Sequence, residues 1–209
     1  MTDMSSGVAD AYSRRSAEYI DLFGSMTPVH HADLHLVSAW ADGLSGPVID
    51  AGCGPGQWTN YLASRGNDAR GVDLVPAFIA RAREEYPGIR FDVGHLHQLD
   101  AGSASAAGVL SWYSLIHWEP NDIQTPLREF ARVLRPGGGL VVGFFSWAAL
   151  EPFPHAVIDA YRWPVSRLAS EVEAAGFEIV ETYERVQTGA RPQGAIVARR
   201  PPGEPVQGP

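Results

Sequence analysis

One cysteine, Cys53, is all that the 209 residues contain, so no intrachain disulfide can form and nothing marks the chain for an oxidising compartment. Positive charge is scarce too: 16 basic against 24 acidic residues leave a formal net charge of −8, and the pI is near 5.3. A protein that follows a phosphate backbone needs a basic stripe, so nucleic acid is not expected as a partner. Long apolar runs are missing as well. The longest, near 140–150, is too short to cross a bilayer, and Met1-Thr2-Asp3-Met4-Ser5-Ser6 has no basic segment leading into an apolar run. The expectation is a cytoplasmic protein with no membrane partner; monomer and homodimer stay equally open.

What is present suits one globular domain, since 45% of the residues are hydrophobic and the length is that of a single core. From position 47 onward, short β-branched runs alternate with amphipathic stretches, the pattern of βαβ units on a parallel sheet. Strands are expected at 48–51, 69–74, 89–94, 108–113, 140–145, 177–186 and 194–199, and helices at 57–65, 76–86, 123–134 and 165–175. The helix at 123–134 runs into Arg135-Pro136-Gly137-Gly138-Gly139, a strong stop signal. Two further helices, 8–23 and 29–43, precede the sheet, and residues 1–45 are expected to form a helical cap or lid across its ligand edge or along one side. The tail 201–209 is too rich in proline and glycine to pack, and disorder is expected there.

The chemistry concentrates in Asp50-Ala51-Gly52-Cys53-Gly54-Pro55-Gly56, where a strand ends and a helix begins. Alternate glycines let backbone approach a ligand at the point where helix N–H groups face outward, as a nucleotide-like ligand requires. The dinucleotide pattern G-x-G-x-x-G asks for glycine at position 57, where this chain has Gln57. A nicotinamide-dependent oxidoreductase therefore fits less well. Asp73 closes the next strand, about 20 residues past the first glycine, where a carboxylate can accept hydrogen bonds from both hydroxyls of a ribose. A plain strand-to-helix turn with Asp73 as a helix cap is the structural alternative.

Val48-Ile49-Asp50-Ala51-Gly52-Cys53-Gly54-Pro55-Gly56, Gly71-Val72-Asp73-Leu74 and Arg132-Val133-Leu134-Arg135-Pro136-Gly137-Gly138 together resemble the motifs of class I S-adenosylmethionine-dependent methyltransferases. The resemblance covers about residues 45–200 and is nearest to the small-molecule branch typified by ubiquinone and menaquinone biosynthesis enzymes (methyltransferase type 11). It implies an α/β fold: a Rossmann-like seven-stranded sheet with the last strand antiparallel, helices on both faces and an N-terminal helical lid. It makes 46–200 the cofactor-binding domain, with S-adenosylmethionine as cofactor and S-adenosylhomocysteine as product. By resemblance, Asp50, Gly52, Cys53, Gly54 and Gly56 hold the methionine portion, Asp73 the ribose and Leu74 the adenine, with Ser111 and Trp112 near the methionine part. Tyr12 and Tyr19, seven apart on one helix face, match the aromatic residues that close over the cofactor.

The chain departs from the family after the third strand, where His95-Leu96 stands in place of the usual acidic residue that binds the adenine amino group. A neutral imidazole nitrogen accepts the same hydrogen bond and a protonated one does not. The alternative leaves recognition to the Leu96 backbone. His117 follows the fourth strand at the family's histidine position and is the first candidate for a general base, with His31, His30 and His155 behind it. A small-molecule acceptor is expected, possible aromatic character being suggested by Tyr113, Trp147, Phe153, Tyr161 and Trp163. Ser111-Trp112-Tyr113-Ser114 differs from the Asn-Pro-Pro-Tyr type motif of base-methylating enzymes. His31 and His35 share a helix face but have no evident third ligand, so no metal is expected. A protein that keeps the cofactor without transferring its methyl group remains the alternative function.

Overall fold

Residues 4–203 are described by the computed structural model. The apolar runs assemble into one sheet because they are buried on both faces, as strands between crossover helices must be. In chain order the elements are α1 (Met4–Arg14), α2 (Ser16–Phe23), α3 (His31–Asp42), β1 (Pro47–Ala51), α4 (Gln57–Ser64), β2 (Asp68–Asp73), α5 (Pro76–Glu85) and β3 (Arg90–Val93). There follow β4 (Ala106–Trp112), α6 (Gln124–Val133), β5 (Leu134–Phe145), β6 (Glu151–Phe153), β7 (Ala160–Arg162), α7 (Val165–Ala174), β8 (Glu178–Arg185) and β9 (Gln193–Arg199). Seven strands pair in the order β3-β2-β1-β4-β5-β9-β8. The first five are parallel, and β9 runs antiparallel to both β5 and β8. The chain reverses its direction of travel along the sheet between β1 and β4, which opens a crevice at their carboxyl ends.

Two apolar layers clamp the sheet. On one face Leu127 and Phe130 of α6 and Leu168 and Val172 of α7 pack with Val109, Leu140, Val142 and Ile196. On the other, Leu36, Val37 and Ala41 of α3 join Trp58 and Leu62 of α4 over Val48, Leu110, Val141 and Ala195. α3 is thus part of the sheet's packing, and of the helices before residue 45 only α1 and α2 are left to lie over the ligand edge.

The helix expected at 8–23 is broken. Arg15, at φ −117° and ψ 16°, leaves the helical region between α1 and α2. The bend lets Tyr12 and Tyr19 both reach Phe78 of α5, at ring-centroid distances of 5.9 and 5.1 Å. Aromatic packing outweighs one continuous helical turn. The Arg135–Gly139 stretch does stop α6, but it is not a loop: β5 begins at Leu134 and takes up a bulge, with Leu134 opposite Ala106 and Gly139 opposite Gly108. Its backbone is held by Gly137 N–H on Arg200 O (2.9 Å) and Arg200 N–H on Gly138 O (2.8 Å). The short hairpin of β6 and β7 leaves no trace in the sequence pattern, since three-residue strands carry no readable alternation. No helix among the described residues is long and apolar enough to cross a membrane. Of the tail 201–209, residues 204–209 lie outside the described residues.

Candidate active site

The loop after β1 is fastened to β2 before any side chain is considered. Gly52 and Cys53 N–H groups both donate to Val72 O, at 2.7 and 3.1 Å. Gly52 sits at φ +84°, and a Cβ there would overlap Ser114 Cβ. Asp50 is buried, and the Thr59 hydroxyl donates to its Oδ2 at 2.7 Å. Burial pushes the Asp50 carboxyl up to about 7. Asp73, at the end of β2, receives the Gly54 N–H on Oδ2 and the Val75 N–H on Oδ1, both at 2.8 Å. Its carboxyl is also raised by burial, to about 6, against the pull of those amides.

Two adjoining cavities open here. The inner one, about 140 Å³, lies between the β2–α5 turn (Asp73, Leu74, Val75), Phe78, the segment His95, Leu96, His97 and the segment after β4 that ends in His117 and Trp118. The outer one, about 560 Å³, runs from Asp50, Cys53 and Gln57 past Trp58 to His155, Arg185 and Arg191. Tyr12, Tyr19, Gly52, Gly54, Trp112 and Tyr113 border both. The structure therefore brings Tyr12, Tyr19, Asp50, Gly52, Cys53, Gly54, Asp73, Leu74, His95, Leu96, Trp112, Tyr113 and His117 together around these two cavities.

Six of the residues expected at the site line neither cavity. Gly56 lines neither cavity; at φ +92° it caps α4, and its missing Cβ makes room for the Phe91 ring. Ser111 is fully buried, with its hydroxyl 2.7 Å from that of Ser114, so Ser114 is the serine that reaches the inner cavity. His31 is exposed and lines neither cavity; its ring lies 4.1 Å from that of His30, which does border the outer one. The aromatic insert is turned aside by the β6–β7 hairpin: Trp147 is 40% exposed beneath the Arg162 guanidinium, and Tyr161 donates to Glu119 at 2.6 Å. Phe153 is buried behind Phe145 (5.3 Å), and it is Phe145 that borders the outer cavity.

Several lining residues carried no signal. In the sequence Gln57 only breaks the dinucleotide pattern, yet it borders the outer cavity and its Oε1 is buried without a partner among the described residues. Arg185 and Arg191 come from the β8–β9 hairpin, more than a hundred residues beyond the glycine loop.

His117 has a defined tautomer. Its Nδ1 lies 2.9 Å from the Asp159 carbonyl, which can only accept, so Nδ1 carries the proton. Nε2 is then the acceptor of the Tyr12 hydroxyl at 2.9 Å. Burial lowers the His117 pKa and raises that of Tyr12, so the pair is neutral near pH 7.

A family described as methyltransferase domain matches residues 48–138, from β1 into the bulge of β5. A probable S-adenosylmethionine-dependent methyltransferase of Mycolicibacterium smegmatis is 28% identical over 139 residues, covering 65% of this chain and 53% of that protein. A trans-aconitate 2-methyltransferase of Methylobacterium nodulans is 34% identical over 97 residues, 46% of this chain and 36% of that protein. The chain spans about half the length of the first curated relatives it matches. Among solved structures, the 1,6-didemethyltoxoflavin-N1-methyltransferase of Burkholderia thailandensis superposes with a TM-score of 0.78 at 24% identity, covering 94% of this chain and 88% of that one. At that identity the likeness concerns the fold.

Proposed function

We propose that the chain is a class I S-adenosylmethionine-dependent methyltransferase, a reading that the methyltransferase-domain match and its relatives support, and that it transfers a methyl group to a small-molecule acceptor held in the outer cavity. The observation that carries the proposal is the meeting of Asp73 with the Gly52–Gly54 backbone at the rim of an apolar cleft. Each Asp73 oxygen has one amide partner and keeps lone pairs for the two hydroxyls of a ribose. Leu74 and Leu96 supply flat apolar walls for an adenine, with His95 at its amino edge. Asp50 and the unpartnered Gln57 Oε1 offer acceptors suited to the ammonium of the methionine part. When bound, the cofactor supplies a methyl group activated by its sulfonium. The protein's task is to hold an acceptor in line in a dry site, for which Tyr12, Tyr19, Trp112 and Tyr113 furnish the walls. His117 is our candidate base, because its Nδ1–H bond to Asp159 keeps the Nε2 lone pair directed at the cavity once Tyr12 gives way. The names of relatives such as trans-aconitate 2-methyltransferase support a small acceptor.

Calorimetry with S-adenosylhomocysteine, followed by mass-detected formation of S-adenosylhomocysteine from S-adenosylmethionine and candidate acceptors, tests the proposal. Binding without turnover on any acceptor would favour a cofactor-binding protein. The pH profile gives a second check. Protonation of Asp50, at about 7, and of Asp73, at about 6, removes their charge and part of their acceptor capacity, so affinity for S-adenosylhomocysteine is expected to rise as pH goes from 5 to 8. Stability of the free protein should move the other way. Both carboxyls titrate above their ordinary value, so the folded form holds protons that the unfolded form has lost, and stability falls as pH rises from about 4 to about 7. A flat affinity profile would contradict the assignment.

A further inference from the structure

Nearly every charge around the outer cavity is already matched. Arg15 grips Glu18 with two hydrogen bonds of 2.9 and 2.8 Å. Arg185 pairs with Asp33 at 2.7 Å and also bonds Gln193. Arg191 differs: among the described residues it forms no ion pair and no side-chain hydrogen bond. Its guanidinium stands instead over Phe153 and Phe145, 5.2 and 5.9 Å from the ring centroids. His155 completes the corner, its ring 6.0 Å from Phe145 and 5.4 Å from His117. The His155 Nδ1 faces the Val157 N–H at 3.5 Å, which leaves Nε2 as the donor into the cavity.

This corner is positive against the trend of the molecule. The formal charge is −8, so an unmatched cation here is no by-product of a basic composition. All 16 basic residues are Arg and none is Lys, so each cation offers a planar fork that matches a carboxylate. Burial, reinforced by His117, Arg191 and Arg15, holds the His155 pKa down at about 4, which makes this imidazole a neutral donor. One guanidinium and one neutral N–H suit a monoanion better than a doubly charged phosphate.

We propose that the acceptor carries a carboxylate, which Arg191 grips through its guanidinium with His155 as second donor, while an unsaturated or aromatic body rests against Phe145 and Tyr113. Calling this molecule the acceptor rests on the methyltransferase function proposed above; the anion site itself does not. Arg191 is then a specificity-determining residue at the mouth of the cavity.

The test uses the full chain saturated with S-adenosylhomocysteine and three fluorinated probes followed by ¹⁹F NMR: 4-fluorobenzoate, its neutral amide and 4-fluorophenyl phosphate. Benzoate is expected to bind about ten-fold or more tighter than the amide. Arg191→Gln should remove that preference while leaving S-adenosylhomocysteine affinity, read by calorimetry, within about two-fold, because Arg191 is exposed and apart from Asp73. Absence of a preference for benzoate over the amide, an equal preference in Arg191→Gln, or tighter binding of the phosphate would each overturn the proposal. Failure of S-adenosylhomocysteine itself to bind would instead overturn the methyltransferase reading, so the two failures are told apart.

Discussion

Asp73→Ala is expected to cost at least about 100-fold in affinity for S-adenosylhomocysteine, because two hydrogen bonds to a charged group disappear, each contributing about 1.5–3 kcal/mol. The same substitution strips the partners from the Gly54 and Val75 N–H groups, so the loop itself loosens. Asp73→Asn separates the two contributions. Its amide oxygen still receives one backbone N–H, which keeps the fold, while the charge and one acceptor are lost. An intermediate affinity with a near-normal melting temperature is expected for Asn, and a lower melting temperature with almost no binding for Ala. Full affinity in Asp73→Ala would remove the ribose assignment and with it the cofactor site.

Gly52→Ala should be the most damaging single methyl group in the protein. A non-glycine residue at φ +84° costs about 1–2 kcal/mol, and the new Cβ is forced onto Ser114, an overpacking of about 1–3 kcal/mol. At about 2–4 °C per kcal/mol for a chain of this size, thermal denaturation should come about 5–15 °C earlier. The double variant Gly52→Ala, Ser114→Gly relieves the overlap but not the backbone conformation, so it should recover only part of the loss. Complete recovery would mean that the positive φ carries no cost, and no recovery would place the clash elsewhere.

The parts of this site that the sequence made legible are those in which local chain chemistry and ligand chemistry coincide. Gly52, Gly54 and Asp73 announce themselves because a strand-to-helix turn with an acid one strand later is compact in sequence. Gly56 shared that signal for another reason, the accommodation of Phe91, and nothing in the spacing separates the two causes. The aromatic insert was visible as composition, but which rings face the cavity depends on a hairpin of three-residue strands that turned Trp147, Phe153 and Tyr161 away from it. Arg191 was illegible for the opposite reason. It enters the site only because β9 returns antiparallel beside β5, so its neighbours Phe145 and Phe153 are set by the topology of the whole sheet. The break at Arg15 likewise answers to Phe78 on α5, a tertiary contact that no helical periodicity contains.

Tyr12 and Tyr19 stand in the partition between the two cavities, and Tyr12 is tied across it to His117. A molecule in either compartment therefore meets the same two rings. By thermodynamic reciprocity, whatever factor an occupant of one side exerts on affinity at the other, the second occupant must exert on the first.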